Sequence, residues 1–464
     1  MAEQTVSPSP KGRTSGIAVL VGGRFAWLLL QVVALAIYFR VLGAEAYGVA
    51  VAVSLYRGLM KLLDLEIPSG SLQRLSVAFR GDEARAWRLF GTTLGLQSLV
   101  ALVGAALLVF GPVLAPLSSE TKMYPALGAM FAFAAVQHVT DTFSSTLTIP
   151  FMARERFRQL AIFDSYLPMV FTVLMVGGVL FFRTPLALTI GTAAESLAGL
   201  LVKVVLYRRT ESLAVLRPRL EPALAHEIFN VGWRVYLTNL SSKIGSTADK
   251  LIIEHVLGSA AVGLYNAAVR IPQVMLETFT RMSEAITPNM TAVAAHEPRA
   301  FSELLRRNAL VVATVSATGI VAIGGLGTPL IQAWIKSSDP TAGLIVLLMA
   351  LYYGLEQHFS TYTRGFFAQN KIAWMLPFTI WNTTITLLLT GPLARHVGLG
   401  GVAAMNLGID LLQIVPITYV TVRVIAPDLA FRPLLLRSTM ILGTGFVVAV
   451  LFFMLSRGTP IGIA

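Results

Sequence analysis

The sequence predicts an all-α polytopic membrane protein of about 12–14 transmembrane helices. It predicts two parallel six-helix lobes around a central cationic cavity, plus about one extra C-terminal helix. Three observations carry this. Only 13% of the 464 residues are charged and 55% are hydrophobic, whereas soluble domains carry about 25% charged residues. Apolar runs of about 20 residues, long enough to cross hydrocarbon, recur along the whole length. A short motif returns after 215 residues: Val41-Leu42-Gly43-Ala44-Glu45-Ala46-Tyr47-Gly48 aligns with Val256-Leu257-Gly258-Ser259-Ala260-Ala261-Val262-Gly263.

Residues 1–16 are polar, contain Ser7-Pro8-Ser9-Pro10, and read as a disordered cytoplasmic N-terminus. No cleavable signal peptide is expected, because the first apolar run is span-length. Thirteen spans follow, at 17–39, 47–67, 88–111, 124–148, 161–182, 186–207, 227–250, 262–286, 309–335, 341–362, 373–391, 400–422 and 433–456. Residues 17–207 form the N-lobe, 208–226 a basic cytoplasmic linker, 227–423 the C-lobe and 424–464 the extra span. Six spans per lobe is an even number, so the lobes share one orientation and are related by an axis along the membrane normal. Between Pro288 and Asn308, Phe301, Leu304, Leu305 and Asn308 recur at helical spacing among Glu and Arg. That pattern fits an amphipathic helix at the interface, or a plain connector.

The basic residues fix the orientation. With the N-terminus in the cytoplasm, twenty of the 36 Lys and Arg fall on the cytoplasmic side and six on the other, as the positive-inside rule requires. The C-terminus then lies outside. Ten remain within or at the edges of spans. Lys203 and Arg437 lie near cytoplasmic ends and read as snorkelling anchors. The others, Arg24, Arg57, Lys61, Arg234, Lys243, Lys250, Arg270 and Arg281, fall only in spans one, two, seven and eight. A charge at the bilayer centre costs about 2.5–3.5 kcal/mol, so these groups must face water or each other.

Helical spacing supports that reading. Arg270, Val274, Glu277, Arg281 and Glu284 share one face, with Glu277 and Arg281 at pairing distance. Arg57, Lys61 and Asp64 share a face of the second span, which makes Asp64 a partner for either cation. Arg24 shares a face with Gln31. Asp249, Lys250 and Glu284 sit at span ends and read either as snorkelling groups or as cavity groups. The candidate substrate-binding residues are therefore Arg24, Arg57, Lys61, Arg234, Lys243, Arg270 and Arg281. The candidate ion-coupling residues are Asp64, His138, Asp141, Glu277, Glu356 and Asp410. His138 and Asp141, at i and i+3, either share a proton or are packed polar groups. Glu356 and His358, at i and i+2, do not face one another. Asp410, with Asn382 and Thr383 as neighbours in the preceding span, suggests a small-cation site of oxygen ligands.

Several chemistries are excluded. There is no cysteine, hence no disulfide, thiol catalysis or thiolate metal site. No Gly-rich phosphate loop appears, so no ATP-driven engine lies in the chain. The histidines do not cluster at metal-ligand spacing, and the outer loops are too short for a membrane-embedded polymerase. No enzymatic activity and no cofactor are expected beyond a coupling ion, H+ or Na+. The net charge of +12 reflects the positive-inside rule first and an anionic substrate second, not a nucleic acid.

Thr247-Ala248-Asp249-Lys250-Leu251-Ile252-Ile253-Glu254-His255-Val256-Leu257-Gly258, followed by Val262-Gly263-Leu264-Tyr265-Asn266-Ala267-Ala268, resembles the start of the second half of bacterial polysaccharide flippases. These belong to the multidrug/oligosaccharidyl-lipid/polysaccharide (MOP) exporter superfamily. Phe39-Arg40-Val41-Leu42-Gly43, Tyr47-Gly48 and Asp64 resemble the matching first-half pattern. The family usually has Gly soon after that Asp; this chain has Glu66-Ile67-Pro68. The likeness covers residues 17–423. It implies a V-shaped, monomeric bundle in the bacterial cytoplasmic (inner) membrane. It implies that an undecaprenyl-diphosphate-linked oligosaccharide crosses to the outer leaflet by alternating access, for O-antigen, capsule or exopolysaccharide. Polysaccharide polymerase and glycosyltransferases are then candidate partners. A cationic cavity suits a diphosphate and suits a cationic drug badly. A lipid II flippase and a cation-coupled multidrug antiporter are the alternatives.

Overall fold

The computed structural model describes residues 10–154, 156, 166–211 and 213–457, and the regular elements among them are helices. The chain divides into two compact units, Met1–Leu240 and Ser241–Ala464. By length and composition, eight helices among the described residues suit a membrane crossing. The two that carry most of the internal charge, spans seven and eight, are not among them.

The first unit opens with α1 (Pro10–Met60), which holds spans one and two and is broken only at Gly43, with φ 78° and ψ 168°. There follow α2 (Ile67–Gly81), α3 (Glu83–Val109), α4 (Leu127–Ala153), α5 (Leu167–Phe182), α6 (Leu186–Thr210) and the start of α7 (Pro222–Leu257). The second unit takes the rest of α7. It then runs through α8 (Ser259–His296), α9 (Pro298–Gly319), α10 (Gly327–Ile335), α11 (Pro340–Ala368), α12 (Leu376–Val397), α13 (Leu399–Val424) and α14 (Phe431–Arg457).

The repeated motif is a repeated backbone break. Gly258, between α7 and α8, has φ 88° and ψ 177°, close to the values at Gly43. That region is open to glycine alone, so the connection between spans seven and eight shrinks to a single residue. The same shift of 215 also relates two further positive-φ positions, Arg183 between α5 and α6 and Gly398 between α12 and α13. A Cβ at Gly43 would meet nothing within 4 Å, so a substitution there encounters backbone strain alone. Gly43→Ala is expected to cost about 1–3 kcal/mol. Gly408→Ala, mid-helix in α13 and equally uncrowded, is expected to gain up to about 1 kcal/mol. Thermal unfolding in detergent checks the pair, and equal shifts would contradict the strain account.

Where the family pattern has glycine after Asp64, the chain still turns. Leu65 (φ 47°) and Glu66 (φ 55°) adopt left-handed conformations without glycine, at a cost of about 1–2 kcal/mol each. Local bonds offset it: Asp64 Oδ1 accepts the Glu66 N–H at 3.0 Å, and Ser69 Oγ donates to Glu66 Oε2 at 2.5 Å. The turn launches α2, which crosses α7 at two glycines. A Cβ on Gly70 would lie 2.4 Å from the Ile228 carbonyl oxygen, and one on Gly232 would lie 2.8 Å from that of Glu66. Glu227 sits between Arg74 (3.4 Å) and Arg85 (2.9 Å). The basic linker is equally close to α3: the Arg219 N–H donates to the Gly91 carbonyl at 2.9 Å, and Gly95 leaves room for the Arg219 backbone.

The helix pair α4–α6 is laced by polar bonds from Asp141 to its basic end. Ser196 meets Asp141, Lys203 Nζ donates to the Ser144 carbonyl (2.9 Å) and Oγ (2.8 Å), and Tyr207 OH donates to the Leu147 carbonyl at 3.0 Å. At the basic end, Arg154 pairs with Glu211 and Glu83 at 2.5 Å each and lies over the rings of Phe79 and Trp87. Lys203 is therefore not a snorkelling anchor. It is 5% exposed and turned inward, because Ser144 offers two acceptors that lipid does not.

In the second unit α11 is the central helix. Leu347, Leu351, Leu355, Phe359, Tyr362 and Phe366 form one buried stripe along it. Lipid is as apolar as these side chains, so the gain is close packing rather than removal from water. Residues 288–308 do not form a separate helix along the membrane surface. They end α8 and begin α9, and Phe301 and Leu305 are fully buried in the unit's core. The amphipathic period reports a core-facing stripe. The span read at 309–335 is interrupted by a π turn at Ile320–Gly324 before α10.

Candidate functional site

In the first unit the second limb of α1 brings Arg57 against α4. Arg57 Nη1 lies 2.7 Å from Asp141 Oδ2. Asp141 Oδ1 accepts a bond from Ser196 on α6 at 2.5 Å. Glu195, half-buried on the adjoining position of α6, interacts electrostatically with both Asp141 and Arg57. Arg57 Nε is buried with no hydrogen-bond partner among the described residues. Nearby on α1, Gln31 Nε2 donates to Thr172 Oγ1 at 3.0 Å. Lys61 begins a short 3-10 turn, Lys61–Asp64, and is exposed.

These contacts decide between alternatives that the sequence left open. Asp141 goes to Arg57 and Ser196, not to a proton shared with His138. His138 is buried against Gly104, where a Cβ would overlap its ring. Arg57 is held by Asp141 rather than by Asp64, because α4 approaches from the side while Asp64 is drawn into the turn after α1.

In the second unit Arg270 Nη1 lies 3.1 Å from Glu277 Oε1, which also accepts from Gln273 Nε2 at 3.1 Å. Glu277 thus has a partner two turns back along α8; the Arg281 side chain lies outside the described residues, as do those of Arg24, Arg234, Lys243 and Glu284. Asp249 is buried, not snorkelling: its Oδ2 accepts from Tyr265 OH at 3.3 Å, and Asn406 Nδ2 donates to the same hydroxyl at 3.3 Å. That chain ties α7, α8 and α13 together. Lys250 lies next to Asp249, with Arg270 and Glu277 in electrostatic reach.

Asp410 on α13 is 3% exposed, and its Oδ2 has no hydrogen-bond partner among the described residues. Its charged neighbour is Glu356 on α11, with Tyr352 one turn before Glu356. Asn382 Oδ1 accepts from Thr386 on its own helix at 3.3 Å. His358 faces away from Glu356, as its spacing predicted, and bonds the Tyr362 hydroxyl at 3.0 Å. Sequence reasoning passed over Glu195, Ser196, Tyr265 and Asn406. Glu195 had a signal, an acid in the middle of a span; the neutral three had none.

Paired half-buried cations and buried acids lie inside helices of span length, the arrangement of a polytopic membrane protein. Residues 37–335 match the family model "Polysaccharide biosynthesis protein", and the chain belongs to that family. A search of curated proteins finds no match. Among solved structures, the fold is similar to a lipid II flippase, MurJ, in an inward closed conformation. The TM-score is 0.70 at 12% identity, covering 94% of this chain and 98% of that one. It is similar to the MATE multidrug transporter DinF-BH, with TM-score 0.61, 15% identity and coverage of 93% and 100%. It is also similar to a MOP superfamily transporter from Pyrococcus furiosus Vc1, with TM-score 0.57, 14% identity and coverage of 96% and 97%.

Proposed function

We propose that this protein is a flippase for polyprenyl-diphosphate-linked oligosaccharide repeat units, working by alternating access in the bacterial cytoplasmic membrane with its N-terminus inside. The observation that carries the reading is a half-buried arginine in the second span of each predicted lobe, Arg57 and Arg270, in a chain of the polysaccharide biosynthesis family. A guanidinium of this kind suits a phosphate of a lipid diphosphate. No bond need be made or broken, so the activity is transport and not catalysis. Asp410 with Glu356 is the coupling site in this reading. A buried carboxylate without a cationic partner calls for a proton or a small cation such as Na+.

The test is complementation. Cells lacking their own repeat-unit flippase are expected to regain surface polysaccharide when given this chain, with the undecaprenyl-linked intermediate no longer accumulating. Rescue of a lipid II flippase deletion instead, or drug resistance without polysaccharide, would overturn the assignment.

A further inference from the structure

Neither arginine is vacant. Arg57 meets Asp141 at 2.7 Å and Arg270 meets Glu277 at 3.1 Å. Each contact recorded is one guanidinium N–H to one carboxylate oxygen, although these groups readily meet through two. A neutral side chain holds each acid as well, Ser196 for Asp141 and Gln273 for Glu277. Exposure follows the same order in both units: the arginine side chains are 16% and 20% exposed, the acids 29% and 33%. The acid is thus the more accessible member of each pair. The two pairs are also built differently. Asp141 comes from a separate helix, whereas Glu277 lies on the same helix as its arginine. One arrangement reached by two routes argues for a shared requirement rather than copied packing.

We infer that Asp141 and Glu277 are exchangeable stand-in anions. Each occupies the anion position of its arginine in the empty protein and yields it to a phosphate oxygen of the ligand. The inference rests on the diphosphate reading above. Each pair is neutral by itself, so neither arginine is a bare cation when the ligand is absent. With ligand bound, the displaced carboxylate repels the phosphate and speeds its release. The acids therefore limit affinity, where the arginines supply it.

The experiment measures binding of farnesyl diphosphate to the full-length protein in detergent, with farnesol as the uncharged control. Asp141→Asn keeps the shape of the side chain and removes its charge. It is expected to bind the probe about tenfold more tightly than wild type, the effect of about 1.4 kcal/mol of repulsion removed. Ser196→Ala, which loosens the acid, is expected to move affinity the same way by about two- to threefold. Arg57→Ala is expected to lose binding. If wild type binds, Arg57→Ala does not, and Asp141→Asn is no tighter, the exchange is overturned and the diphosphate site stands. If wild type binds farnesyl diphosphate no better than farnesol, the diphosphate reading falls and the exchange with it. Thermal unfolding accompanies each variant. Should Asp141→Asn fail to fold, Glu277→Gln carries the same tenfold expectation, and its absence there overturns the inference.

Discussion

Replacing Arg57 and Arg270 together by Ala is expected to abolish surface polysaccharide while the folded amount in the membrane stays near wild type. Each guanidinium is part of a charge-assisted contact. Truncating one partner of such a pair against a ligand costs about 2–5 kcal/mol, more than tenfold in affinity per arginine. The single variants are expected to lose most export, and Arg→Lys at either site to keep part of it, since an ammonium still holds phosphate as a point charge. A packing role predicts a different pattern. Loss of Arg57 would then lower folded protein, because Asp141 would be left with Ser196 as its recorded partner, and Lys would restore folding without restoring export selectively. Export normalised to folded protein separates the two.

Asp410→Asn is expected to abolish ion-dependent export while raising thermal stability. The wild-type carboxyl is deeply buried and its Oδ2 has no hydrogen-bond partner among the described residues, a state that costs about 1–3 kcal/mol or more when charged. An amide of the same shape removes the charge and with it the capacity to take up a proton or Na+. Glu356→Gln is expected to act in the same direction. The measurement is export against an imposed proton or sodium gradient, alongside thermal unfolding. Unchanged gradient dependence in Asp410→Asn would remove the coupling role.

Much of the fold was legible because lipid imposes so few solutions. Apolar runs of span length become helices, and the Gly43/Gly258 repeat became a backbone feature that only glycine adopts. Which cation meets which acid was not legible. Spacing along one helix offered Asp64 to Arg57 or Lys61 and left His138 and Asp141 as a proton-sharing pair or packed polar groups, whereas Arg57 meets Asp141 and Asp141 meets Ser196, 84 and 55 residues apart in sequence. A pattern along one helix carries no information about the helix that packs beside it. The same blindness made Lys203 an anchor and residues 288–308 a surface helix. In both cases the inward partner, Ser144 for one and the α11 core for the other, lay on a different element.

The most direct measurement of the central claim is leaflet exchange in proteoliposomes. The purified chain is reconstituted with an undecaprenyl-diphosphate-linked oligosaccharide, and the fraction of sugar accessible to an external lectin or glycosidase is followed in time. The account predicts that wild type moves the lipid-linked sugar between leaflets and that the Arg57→Ala, Arg270→Ala double variant leaves it where it began. Equal movement by wild type and double variant, or movement of a cationic drug with none of the lipid-linked sugar, would contradict it.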